Sequence, residues 1–379
     1  MSIKPRKIVA AALVLVLALS LLAACSGGTA DTTPETAANT ETAASAEPGA
    51  STAPESNPDT DGDPSGTHTV VDSFGHEVEV PNTIERIILP SSFPVFLSFV
   101  SVFGMQDQVV NGLPASFSRE VYWADMIIAP QVDAAPTVAD SSSGGMSAEL
   151  CMELDPDVIF VSDEDTYTAL SEKGLTVIGI ELTDYEAFRN IYTIMGEVFN
   201  MQDRASEYLA YLDEMLAFIS ERIEGVEKTD VLYFDYARML RPNTVAEWWI
   251  SAAGGASVTA DQADVSQVIM DVEALYAADP DVIIDMLHSN MDAIYSDPEW
   301  ASLTAVQNGR VYNTPVGCHL MGNWTSEQPI MILWTASKLY PEQFADVDLV
   351  EYFGDFYSTW FGVDFTEQQI NDIINGFAA

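Results

Sequence analysis

The residues of this 379-residue chain best able to bind something fall on four loops and one helix. The loops hold Ser91, Ser92 and Phe93; Tyr122 and Trp123; Tyr236, Arg238 and Arg241; and His319 with Trp324. Aromatic rings can cover the faces of a large, partly apolar cargo, while guanidinium groups reach its oxygens. Trp248 joins them from a helix; at most one of it and its neighbour Trp249 faces the cleft, since two adjacent helix residues do not share a face. Ser91 and Ser92 have no evident histidine partner, and the chain holds no GxSxG, HExxH or P-loop pattern, so no catalysis is expected. Four scattered histidines (His68, His76, His288 and His319) argue against capture of a bare Zn²⁺ or Mn²⁺ ion.

A second set of residues stands out through repetition. Glu149-Leu-Cys-Met-Glu-Leu-Asp155-Pro156-Asp157-Val158-Ile159 is echoed by Glu273-Ala-Leu-Tyr-Ala-Ala-Asp279-Pro280-Asp281-Val282-Ile283. In each copy a Glu on a helical run precedes a helix-ending Pro, and an apolar strand follows. The repeat implies two similar lobes, each with one Glu at the same structural address.

The positioning elements follow from periodicity. Apolar strands alternate with helices, giving an α/β chain of two Rossmann-like lobes with mainly parallel sheets covered on both faces. Ligands of such sheets sit beyond the carboxyl ends of the strands, where the four loops fall, so the cleft is expected between the lobes. Thr69–Asp72 and Glu77–Val80 read as a hairpin, and Thr183-Asp-Tyr-Glu186 as a capping box opening a helix to about Phe199. Residues 203–224 carry the apolar spacing of one helical face and make a rod of roughly 33 Å. Single helices are expected at Val245–Ala252 and Ile294–Val306, and Thr366-Glu-Gln-Gln369 caps a last one.

Basic residues number 14 and acidic residues 58; without Lys4, Arg6 and Lys7 of the leader the balance is 11 against 58, a formal charge of −47. Such a chain repels nucleic acid and anionic membrane surfaces. Residues 1–25 read as an export signal, a basic start followed by the apolar run Ile8–Leu22. Its ending, Leu22-Ala-Ala-Cys25, resembles the lipobox of bacterial lipoproteins, in which the cysteine takes the lipid. Residues 26–66, rich in Thr, Ala, Pro and Glu without an aromatic, read as a disordered tether. Of the other cysteines, Cys151 and Cys318 are either two buried thiols or a disulfide between lobes.

The segment Thr69-Val-Val-Asp-Ser-Phe-Gly-His-Glu-Val-Glu-Val-Pro81, followed by Arg86-Ile-Ile, resembles the opening of the periplasmic-binding-protein family that captures iron-siderophores, haem and vitamin B12 for ABC importers. The likeness runs from about Thr67 to the C-terminus; His76 stands where that family usually has Arg. The resemblance implies a lobe at 67–200, a bridging helix at 201–225, a second lobe at 226–379 with a helical extension, and a monomer. It also implies that Glu149 and Glu273 dock onto a dimeric permease that works with an ATPase. The expected function is a substrate-binding lipoprotein, lipid-anchored through Cys25 on the outer face of the cell membrane. It carries no cofactor. An iron(III)-siderophore-type chelate is the first expectation for cargo, because two arginines on one loop suit an anionic complex; haem or a corrinoid is the alternative.

Overall fold

The computed structural model describes residues 65–139, 145–286 and 291–376; the expected signal, Cys25 and almost all of the tether lie outside them. In order come β1 (Thr67–Val71), β2 (Glu77–Pro81), β3 (Ile87–Ile88), α1 (Phe93–Val102), α2 (Asp125–Ile128), α3 (Ala148–Glu153), β4 (Val158–Val161), α4 (Glu164–Ser171), β5 (Val177–Gly179), α5 (Tyr185–Val198) and α6 (Gln202–Arg222). The chain continues with β6 (Asp230–Phe234), β7 (Leu240–Arg241), α7 (Val245–Ala252), β8 (Ala256–Ser257), β9 (Val268–Ile269), α8 (Val272–Ala278), β10 (Val282–Asp285), α9 (Met291–Ser296), α10 (Thr304–Gln307), β11 (Val311–Asn313), α11 (Gln328–Leu339), α12 (Leu349–Phe356), a π turn (Tyr357–Phe361) and α13 (Glu367–Ile374). No helix of the described residues is long and apolar enough to cross a membrane.

Two parallel sheets form, β3-β4-β5 and β11-β10-β6-β8. Alternation along each strand sorts side chains between two cores. Val158 and Phe160 of β4, Val231 and Tyr233 of β6, and Val282 and Ile284 of β10 join one continuous core with α5, α6 and α11. Their alternates enter two smaller clusters, one behind each sheet: Ile159 and Val161 in one, Leu232, Phe234 and Ile283 in the other. The described residues pack as one compact unit, as that shared core dictates. The α6 rod lies against both α5 and α11. Its Tyr208 hydroxyl donates to the Ser326 carbonyl at 2.5 Å, and Tyr192 of α5 donates to the Ser326 hydroxyl at 3.0 Å.

The repeated phrase is a repeat of structure. Ser147 and Asp271 cap α3 and α8, which places Glu149 and Glu273 at the same exposed first-turn position. Asp155 and Asp279 both adopt left-handed backbone, with φ of 47° and 35°, just before the proline. The next Asp accepts from the edge of the neighbouring strand in each copy: Asp157 from Arg86 N–H at 2.9 Å, Asp281 from Asp230 N–H at 3.2 Å. The opening hairpin is explained in the same way. Asp72 accepts from Phe74 and His76 N–H with one oxygen and from Gly179 N–H of β5 with the other, tying the hairpin to the first sheet. His76 stacks on Tyr167 at 4.1 Å, between the carboxylates of Asp72 and Glu164.

Two expectations need correction. The α5 cap is Asp184, accepting from Ala187 N–H at 2.9 Å; Thr183 lies one residue too early. The stretch 294–306 is not one helix. Pro298 cannot continue the ladder, so α9 stops at Ser296 and α10 starts at Thr304.

Candidate solute-binding site

The loops after the strands of the two sheets meet through aromatic side chains. Tyr122 packs on His319 with ring centroids 5.2 Å apart, and Phe117 meets the same imidazole edge-on at 5.9 Å. Val316, Leu320, Val121 and Met286 complete this cluster. A second contact joins α5 to α7 and the 314–327 loop. Trp248 stacks on Tyr185 at 4.6 Å, and Trp324 lies 5.1 Å from Phe188 and 5.0 Å from Trp248. Trp249 is buried, its indole donating to the Gly322 carbonyl at 3.2 Å, as packing requires.

The other expected contact residues are more dispersed. Ser91 is exposed and Ser92 half-buried at the start of α1, where Phe93 turns into the core. Trp123 packs edge-on against Phe365 of the C-terminal extension at 5.9 Å. Tyr236 donates to Asp297 at 2.7 Å.

The two arginines part company. Arg241 is fully buried, facing Glu247 at 3.3 Å and donating to the carbonyls of Gln262 and Val265. Its guanidinium is an internal strut and does not reach an open loop surface. Arg238 is half exposed but clasps the buried carboxylate of Asp235, with its Nη2 4.0 Å from Met286 Sδ. Scarcity of cations explains the pattern: every arginine of the described residues is engaged within the chain. Arg86 caps the carbonyls of Leu154 and Asp155; Arg119, Arg189 and Arg222 pair with Asp133, Asp213 and Asp346; Arg204 and Arg310 donate to carbonyls.

Sequence reasoning missed a buried acidic cluster beside these loops. Asp125 and Glu327 have no solvent exposure. Glu327 Oε1 accepts from Cys318 N–H at 2.9 Å and from the Tyr357 hydroxyl at 2.6 Å, while Oε2 has no partner. Neither Asp125 oxygen meets an oxygen or nitrogen donor; the Cys318 thiol is its neighbour. Burial, and then the nearby partner carboxylate, raises Asp125 well above the usual carboxylate range. Burial lifts Glu327 from the ordinary 4.5 to about 7 against the pull of its hydrogen bonds. Burial likewise lowers His319 to about 4, so the imidazole is neutral. Nothing in the string Thr325-Ser-Glu-Gln-Pro329 announces this, since it reads as an ordinary helix start. Cys151 and Cys318 are both buried free thiols, and the described residues hold no cluster of three or more His, Cys, Asp or Glu able to ligate a metal.

A family model described as periplasmic binding protein matches residues 117–316, slightly more than half of the chain; of the expected contact residues, Ser91, Ser92, Phe93, His319 and Trp324 lie outside it. The chain belongs to the periplasmic-binding-protein family. Its members bind small solutes and work with ABC permeases; they are not enzymes. A curated relative, the iron(3+)-hydroxamate-binding protein YxeB of Bacillus subtilis, is 23% identical over 193 residues; the match spans 44% of this chain and only 58% of that protein. Among solved structures, a periplasmic solute-binding protein from Veillonella parvula superposes with a TM-score of 0.72 at 23% identity, covering 82% of this chain and 97% of that one. The molybdate-binding protein MolA of Haemophilus influenzae gives 0.66 at 18% identity, covering 79% and 99%. These likenesses establish the fold.

Proposed function

We propose that this chain captures an iron(III)-siderophore-type chelate of little net charge and delivers it to an ABC permease. The observation that carries the reading is the engagement of every described arginine within the chain, next to loops rich in aromatic rings. Three singly charged hydroxamates neutralise one ferric ion, whereas three catecholates leave a threefold negative charge. A neutral chelate needs ring faces more than guanidinium groups, and a chain charged −44 repels an anion. The hydroxamate-binding relative supports the same chemistry. Arg238 and Arg241, each paired with a carboxylate of the chain, supply no free cation to an anionic cargo.

On this reading the two sheets are the cores of two lobes, α6 is the stiff connector between them, and Tyr122, Trp248, His319 and Trp324 part to admit cargo. Glu149 and Glu273 present one acid per lobe to the permease. Cys25 carries a lipid anchor on the outer face of the membrane, and Cys25→Ser would release the chain.

Tryptophan fluorescence of the chain from Thr67 onward, titrated with a ferric tris-hydroxamate, a ferric tris-catecholate, haemin and cobalamin side by side, tests the cargo. The tris-hydroxamate is expected to quench at the lowest concentration, at least tenfold below the tris-catecholate, a difference of about 1.4 kcal/mol. Tighter binding of the catecholate would overturn the charge argument, and tighter binding of haemin or cobalamin would reassign the cargo.

A further inference from the structure

The geometry points to a proton-held clasp: Asp125 and Glu327, with Cys318 and Tyr357, join the 116–139 segment, the 314–327 loop and the C-terminal extension only while the acid pair keeps at least one proton. Two fully buried carboxyl groups share this junction, and three of their four oxygens lack an oxygen or nitrogen partner. An ionised pair in such a place would carry two uncompensated charges. The groups facing it supply no positive charge. From the 314–327 loop come Cys318, the neutral His319 and Thr325; from the extension, Tyr357; from α5 and α6, Tyr192 and Tyr208; and Tyr122 lies one turn before Asp125. No lysine or arginine of the described residues forms an ion pair with either carboxyl group.

The junction is built for this approach. A side chain at Gly317 would collide with Glu327 Oε1 and with the Tyr357 hydroxyl, so only glycine lets the backbone bring Cys318 N–H onto the carboxyl group. The raised values of both acids agree with a held proton. Below about 4.5 folded and unfolded chains both keep the Glu327 proton, and its stabilising contribution is complete. Between 4.5 and 7 the folded chain holds a proton that the unfolded chain releases, so stability falls as pH rises through that window. The still higher value of Asp125 extends the loss to more alkaline pH.

The clasp stands without the cargo reading; only one consequence, tighter cargo retention at acid pH, rests on it. Glu327→Gln keeps an acceptor for Cys318 and Tyr357 and mimics the protonated acid. It is expected to melt with wild type at pH 5 and higher than wild type at pH 8, by about 2 °C or more. Asp125→Asn should do the same. Hydrogen exchange, corrected for its intrinsic pH dependence, should show 116–139 and 314–327 losing protection from pH 5 to pH 8 in wild type and keeping it in Glu327→Gln. Variants no more stable than wild type at pH 8, or wild-type protection that does not change with pH, would overturn the clasp. So would a divalent cation that raises the wild-type melt at pH 8 and leaves Glu327→Gln unmoved, because the pair would then be a metal site.

Discussion

Arg241 shows what decides the use of a cation in a chain this acidic. Its guanidinium has no solvent contact and is held by Glu247 and two carbonyls. Truncation would leave those carbonyls without their donor and the Glu247 carboxylate with only the Thr259 hydroxyl. Arg241→Ala is therefore expected to cost about 3 kcal/mol in a denaturant titration and to leave cargo affinity unchanged in whatever fraction folds. A weakened cargo with unchanged stability would return Arg241 to the binding surface. The sequence shows Arg238 and Arg241 as equals on one loop. What separates them is that β7 pairs with β9 and so turns Arg241 inward, a long-range event that no local pattern records. The buried acids Asp125 and Glu327 were invisible for the same reason. Trp248 and Trp249 were separable, because helical geometry alone sends neighbours to different faces.

At the scale of elements, the legible features were those that carry their own local chemistry. The Asp-Pro-Asp joints, the hairpin knotted by Asp72, the Thr366 capping box and the long α6 rod all appear as their residues dictate. The joints also separate two jobs that the sequence shows as one. Asp155 and Asp279 share left-handed backbone, but only Asp279 uses its carboxylate across the joint, accepting from Thr304 N–H and Oγ1 at 2.8 Å each. Glycine relieves left-handed strain, which costs an ordinary residue roughly 1–2 kcal/mol. Asp155→Gly should therefore be neutral or stabilising by up to about 1 kcal/mol, whereas Asp279→Gly should destabilise by about 1 kcal/mol through the lost cap. Thermal melts of both variants decide it; equal effects would mean that the joints are alike in energy as well as in shape.

For the whole molecule, the question is how a particle charged −44 finds its partner. Diffuse charge gives no orientation, because a field spread over the surface is screened within about 8 Å at physiological ionic strength. Orientation needs fixed points, and the repeat supplies two. Glu149 and Glu273 sit exposed at matched helix starts, and neither forms an ion pair among the described residues. Three residues on, over the same helical face, Met152 and Tyr276 are 47% and 43% exposed. Each address thus pairs an acid with an uncovered apolar side chain, the composition of an interface anchor inside a charged rim. On the proposed function, Glu149→Gln and Glu273→Gln should each lower productive docking about tenfold, about 1.4 kcal/mol apiece. The double variant should abolish uptake of labelled ferric hydroxamate by cells while binding it in solution as wild type does. Met152→Ala with Tyr276→Ala should also reduce uptake, and that loss should persist at high salt, where the glutamate contribution fades. Uptake untouched by the double glutamine variant would remove the docking role from the repeat and leave it a matter of folding alone.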